Sequence, residues 1–148
     1  GIEKRNHNFK CYTKGGSKGL WRSMLMEGDS KAVICEAPID ALSHSKLRHD
    51  SNDRTRYFAI GGQIGYFQWE LIDGLIKKYN SEKIDIFLAF DNDPAGRKYI
   101  QQFQERYSGV SFTLDLPPQE GQDWNDVLQS KKSINGDESD YITPNFKN

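Results

Sequence analysis

Three acids stand out by where they fall in the chain. Glu36 closes the apolar run Ala32-Val33-Ile34-Cys35, and Asp91 and Asp93 follow the run Ile84–Phe90. Asp91 and Asp93 are two residues apart at an extended strand end, so both can point toward one cation. Hard divalent ions such as Mg²⁺ or Mn²⁺ take oxygen ligands and keep several waters, so two or three carboxylates are enough. Pro94 and the small pair Ala95-Gly96 then open a helix whose N-terminus can approach a phosphate. Arg97 would add a fork donor to that phosphate. Asp93 has an equally ordinary use as an N-cap ahead of Pro94.

Further acids lie nearby in pattern. Asp40 sits one helical turn beyond Glu36 and either joins the site or only complements a helix dipole. Asp123 and Asp126 flank Trp124-Asn125, and Asp123 also reads as the N-cap of a helix starting at Trp124. Trp124 itself reads as core rather than as a base-stacking platform. His7, His44 and His49 have no metal-ligand spacing, and no Ser or Cys nucleophile arrangement is visible.

The elements that must position these acids alternate. Short apolar runs at Ala32–Cys35, Tyr57–Ile60, Ile84–Phe90 and Val110–Leu116 read as strands. Helical spacing of Phe67, Leu71, Ile72, Leu75, Ile76 and Tyr79 marks one helix between them. Other helices are expected over Ile39–Leu47, Pro94 to Tyr107 and Trp124 to Gln129. Strand–helix alternation implies right-handed crossovers and a mostly parallel sheet covered on both faces. Ligands of such sheets bind outside the carboxyl ends of the strands, which is where Glu36, Asp91 and Asp123 fall.

The chain has 148 residues, with 20 Lys+Arg against 21 Asp+Glu and a net charge of −1. That length fits one domain with a real core. Near-neutral charge excludes a wholly basic, histone-like binder but permits a local basic patch. No run approaches the roughly 18 apolar residues of a membrane span, and no signal-peptide pattern opens the chain. Cys11 and Cys35 are too far apart for a CxxC ligand pair and indicate reduced thiols and a cytoplasmic setting. Gly1 in place of Met is consistent with a fragment of a longer protein.

Residues 1–29 form a basic lead. Residues 1–22 hold six basic side chains and one acid, leaving 14 basic against 20 acidic residues in the remainder. Gly15-Gly16-Ser17-Lys18-Gly19 lies between the β-like stretches Phe9–Thr13 and Leu20–Met26 and reads as a hairpin loop. It lacks the spacing of a P-loop. Residues 30–130 carry the α/β pattern, and residues 131–148 read as a polar, flexible tail.

The segments Cys35-Glu36-Ala37-Pro38-Ile39-Asp40-Ala41-Leu42-Ser43 and Phe90-Asp91-Asn92-Asp93-Pro94-Ala95-Gly96-Arg97 resemble the Toprim domain of DnaG-type primases, topoisomerases and certain nucleases. The Asn-Asp-Pro-Ala-Gly-Arg form is similar to the primase branch found in plasmids and conjugative elements of bacteria, as is Asp123-Trp124-Asn125-Asp126. The resemblance implies a Toprim, Rossmann-like α/β fold with a four-stranded, mostly parallel sheet. It implies Glu36 as general acid/base and Asp91 and Asp93 as Mg²⁺ ligands, with Glu36 at the same metal. Ala37 departs from the Gly that many members carry after the glutamate. No zinc ribbon and no further polymerase subdomain accompany the motifs.

The expected function is thus a Mg²⁺-dependent, primase-like module for nucleotidyl or phosphodiester transfer on nucleic acid, chiefly DNA, within a larger replication or mobile-element protein. Lys18, Arg22 and Arg97 would hold the phosphate backbone. The alternatives are a Toprim nuclease or nickase, and a noncatalytic module that docks nucleic acid or protein.

Overall fold

The computed structural model describes residues 3–6, 9–12, 18–24, 28–48 and 54–135. Two short strands, β1 (Glu3–Asn6) and β2 (Phe9–Tyr12), form an antiparallel hairpin. A separate five-stranded sheet follows, built from β3 (Trp21–Arg22), β4 (Lys31–Cys35), β5 (Thr55–Ala59), β6 (Asp85–Ala89) and β7 (Phe112–Leu114). The four helices are α1 (Pro38–Arg48), α2 (Tyr66–Ser81), α3 (Pro94–Arg106) and α4 (Trp124–Asn135).

The strand order is β3-β5-β4-β6-β7, parallel except for β3 at one edge. The continuous apolar run of β4 is explained by its central position, with both faces covered. Ala32 and Ile34 enter one core with Phe58, Ile72, Ile76 and Phe103, whereas Val33 and Cys35 enter another with Ala41, Tyr57 and Trp124. Helices α2 and α3 therefore cover one face, and α1 and α4 the other. β7 is an edge strand and its Thr113 and Leu114 are exposed, which accounts for its less regular pattern.

Two expected features take a different form. The hairpin joins β2 to β1, not β2 to the Leu20 segment; Trp21 and Arg22 instead pair with Ala59 and Phe58 of the main sheet. Two cross-strand pairs at an open sheet edge outcompete local closure there. Residues 13–17, including most of the glycine-rich segment, lie outside the described residues. Helix α4 runs to Asn135, well past Gln129 and into the segment expected as a tail; residues 136–148 lie outside the described residues.

Candidate active site

The chain leaves β4 for β5 on one side, then crosses back to place β6 on the other side of β4. Helix α1 then runs to one face and α3 to the opposite face, opening a crevice between the carboxyl ends of β4 and β6. Such a reversal of strand order is the usual ligand position of open α/β sheets. Cys35 pairs with Ala89, so Glu36 and Asp91 emerge side by side at that crevice.

Each acid is held by local structure. Asp40, in the first turn of α1, is buried and accepts a hydrogen bond from the Ala37 N–H (3.2 Å), while its Oδ1 is buried without a partner. Asp91 also buries Oδ1 without a partner. Asp93 caps α3, its carboxylate accepting from the Gly96 N–H at 2.7 Å. Asp123 and Asp126 cap α4 reciprocally: Asp126 N–H donates to Asp123 Oδ1 (2.6 Å), and Asp123 N–H donates to Asp126 Oδ2 (3.3 Å). Asp93 and Asp123 both serve as N-caps, each with one carboxylate oxygen bound to its helix.

Gly96 has a different use from easing the approach of a phosphate. A Cβ at this position would stand 2.0 Å from the Asp91 carbonyl oxygen. Glycine at the third position of α3 thus lets the Asp91 backbone fold over the helix start. Asn92 fixes the same turn to the loop ahead of α4: its N–H donates to the Gln122 carbonyl, its carbonyl accepts from Gly121 N–H, and its Nδ2 donates to the Pro117 carbonyl. Trp124 completes the attachment, buried against His44 with Nε1 donating to the Ala89 carbonyl (3.1 Å). These stitches bring Asp123, which is distant in sequence, to the crevice.

The electrostatics show how close the acids are. Desolvation, then the charges of Asp40, Glu36, Asp123 and Asp93, push the Asp91 carboxyl up to about 8. Desolvation, then Asp123 and more weakly Glu36, push Asp40 up to about 6, against the opposing pull of the Ala37 and Asn125 backbone. Burial and the charges of Asp40 and Asp91 likewise raise the free Cys35 thiol, so it stays protonated. The charges that weigh most on Asp91 are all acidic.

Among the described residues, no three His, Cys, Asp or Glu side chains stand in ready-made coordination geometry. The reason is visible at Asp93, whose carboxylate is turned to the helix it caps. The donor set still fits a hard cation: it is all oxygen, and the unpartnered buried oxygens of Asp91 and Asp40 both lack a hydrogen bond. A divalent ion would relieve the mutual repulsion that raises both carboxyls.

The basic residues separate. Arg97 lies on the exposed rim beside the crevice, donating to Glu120 (2.8 Å) and Asn92 (3.3 Å). Lys18 donates to the carbonyl of Gln63, in the turn whose Gly61 N–H bonds the Glu36 carbonyl. Arg22 is not brought to the crevice; it lines a cavity on the α2 face with Arg56 and Lys78. Asp126 is exposed and occupied in its cap, and it is not among the main charges acting on Asp40 or Asp91. The roles of Gly96 and of the Asn92 stitches escape sequence reasoning, because both concern backbone contacts rather than side-chain chemistry.

No helix among the described residues is long and apolar enough to cross a membrane. No curated protein and no solved structure matches the chain. The Toprim-like family matches residues 33–128, a stretch containing the crevice with Glu36, Asp40, Asp91, Asp93 and Asp123. Toprim domains generally bind Mg²⁺ and act on nucleic acids. With the family match spanning most of the chain and the acids at the sheet's reversal point, the chain belongs to the Toprim-like family.

Proposed function

We propose that this chain is a Mg²⁺-dependent catalytic module for nucleotidyl or phosphodiester transfer, of the primase-like branch and part of a larger replication or mobile-element protein. The observation that carries the reading is the gathering of Glu36, Asp40, Asp91 and Asp123 at the carboxyl ends of two adjacent parallel strands, where the charges weighing most on Asp40 and Asp91 are those of other acids. Asp91, with Asp40 and the remaining oxygen of Asp93, would hold the ion. Bound there, Mg²⁺ supplies charge neutralisation at a phosphate and orientation of the attacking or leaving oxygen.

The chain's own groups supply the rest. Glu36, at the end of β4, moves the proton of the attacking or leaving hydroxyl as general acid/base. Arg97 exchanges Glu120 for a phosphate oxygen, keeping a charge-assisted bond. Lys18 adds a cation near the turn beside Glu36. Burial of Asp40 and Asp91 gives the site a low local dielectric that strengthens each of these contacts.

The test uses the full-length protein on a primed template with nucleotides and on a nicked or supercoiled duplex, with Mg²⁺ or EDTA. Metal-dependent primer extension that disappears in Asp91→Asn is the expected result. Metal-dependent cleavage without extension would assign the nuclease reading instead. Nucleic-acid binding with no turnover on either substrate would make the domain a docking module and overturn the catalytic reading.

A further inference from the structure

The larger cavity described lies away from the acid crevice, between α2 and the β3–β5 edge, with a volume of about 620 Å³. Its floor is apolar, from Phe58, Leu71 and Leu75, and its cations are Arg22, Arg56 and Lys78. Register explains the gathering: Arg22 pairs with Phe58, and Arg56 is two residues from Phe58, so all three face α2. The volume falls in the range of small-molecule sites, which combine apolar walls with a few placed polar groups.

Two observations point to a ligand. The Arg56 side chain is only 8 % exposed and spends Nη1 on Asp29 Oδ2 (3.2 Å), and this single bond leaves both its Nε and the Asp29 Oδ1 buried without a partner. A buried guanidinium donor left unmade is costly and suits an incoming anionic oxygen. Gly74 supplies the second observation. It stands in the interior of α2 and lines the cavity, where a Cβ would meet nothing within 4 Å. Glycine weakens a helix relative to alanine, and no close contact requires it here; what it does is leave the cavity wall open.

We propose that this cavity binds an organic phosphate with a flat apolar body, of the nucleoside phosphate class, independently of metal. The phosphates would lie on Arg22 and Lys78 at the exposed rim, with one oxygen turned toward Arg56 Nε, and the flat body would slide over Leu71 and Leu75 past Gly74. Asp29 neutralises part of the Arg56 charge, so Arg22 and Lys78 carry most of the attraction. The site does not rest on the catalytic reading of the crevice.

Adenosine triphosphate in EDTA, titrated by calorimetry against the chain, is the probe. Saturable binding is expected, at least tenfold weaker in an Arg22→Ala/Lys78→Ala double variant and unchanged in Asp91→Asn. Gly74→Leu should abolish binding while raising or preserving the melting temperature, which separates occlusion from unfolding. Adenosine alone and inorganic phosphate alone should each bind at least tenfold more weakly. No saturation at millimolar nucleotide, equal affinity in the double variant, or phosphate binding as tight as the nucleotide would overturn the proposal. Loss of binding in Asp91→Asn would place the nucleotide at the crevice and overturn it as well.

Discussion

Two regions of this molecule bury carboxylates, and they treat them in opposite ways. Beneath the α2 face, Asp29 is met by Arg56 at 3.2 Å and by the Tyr79 hydroxyl at 3.1 Å. At the β4–β6 crevice, Asp40 and Asp91 face other acids, whose charges push each toward the protonated form. The same chain thus possesses the means to neutralise a buried acid internally and applies it to Asp29, while the charges that weigh most on Asp91 are acidic. The Asp29 charge is met by groups of its own chain, whereas the crevice offers oxygen donors that a cation from outside would complete. A region that gives up stability in this way carries the signature of a working site.

The comparison can be broken at four points. The largest effect is expected at Glu36: Glu36→Gln in the full-length protein should lower turnover roughly 10²–10⁴-fold with the fold intact. A rate equal to wild type in a metal-saturated assay would reduce Glu36 to a strand terminus. In the paired region, Arg56→Met leaves Asp29 buried and uncompensated and should cost about 3–5 kcal/mol of stability in chemical denaturation. Adding Asp29→Asn should recover part of that loss, because it removes the stranded charge.

Gly96→Ala tests shape rather than charge. Its Cβ would meet the Asp91 carbonyl, a backbone atom that cannot swing away, so a loss of about 2–3 kcal/mol is expected. Mg²⁺ affinity should fall with it; an unchanged affinity would detach the Asp91 turn from the site. The smallest effect has the opposite sign. Asp91→Asn should stabilise the metal-free protein at pH 8 by about 1–2 kcal/mol, since it removes a like charge from a partly buried cluster.

That gain has a definite pH dependence. The folded carboxyl titrates near 8 and the unfolded one near its ordinary value of 3.8. Between those values the folded state holds more protons, so wild-type stability falls as pH rises across about 4 to 8. The stabilisation from Asp91→Asn should therefore vanish near pH 4. Mg²⁺ should raise the wild-type melting temperature more at pH 8 than at pH 5, because binding must displace that proton. Equal shifts at both pH values would remove Asp91 from the ligand set.

Much of the frame is legible in the residues. β4, β5 and β6 appear as apolar runs because both sheet faces are covered, and α2 appears in its helical spacing. Glu36 and Asp91 are legible as acids at the ends of such runs. Asp93 and Asp123 are legible only as alternatives, because an N-cap and a metal ligand use the same side chain at the same place. The Asp29–Arg56–Tyr79 group is invisible in sequence: its members are 27 and 50 positions apart, with no motif joining them. The cavity that Arg22 lines is illegible for a related reason, since a two-residue edge strand has little pattern from which to read the face it serves.

The Trp124 bond to the Ala89 carbonyl also bears on the life of the chain before it is finished. The acids near the crevice come from positions 36, 40, 91 and 123, so they cannot assemble together until synthesis has passed Trp124, nearly ninety residues after Glu36. Ribosomes add about 5–20 residues per second, which leaves Glu36 exposed for several seconds before its distant companions emerge. During that interval the nascent protein lacks the full set of crevice acids. Helix α4 acts as a time stamp: the acids come together only once the five strands of the sheet have all been made.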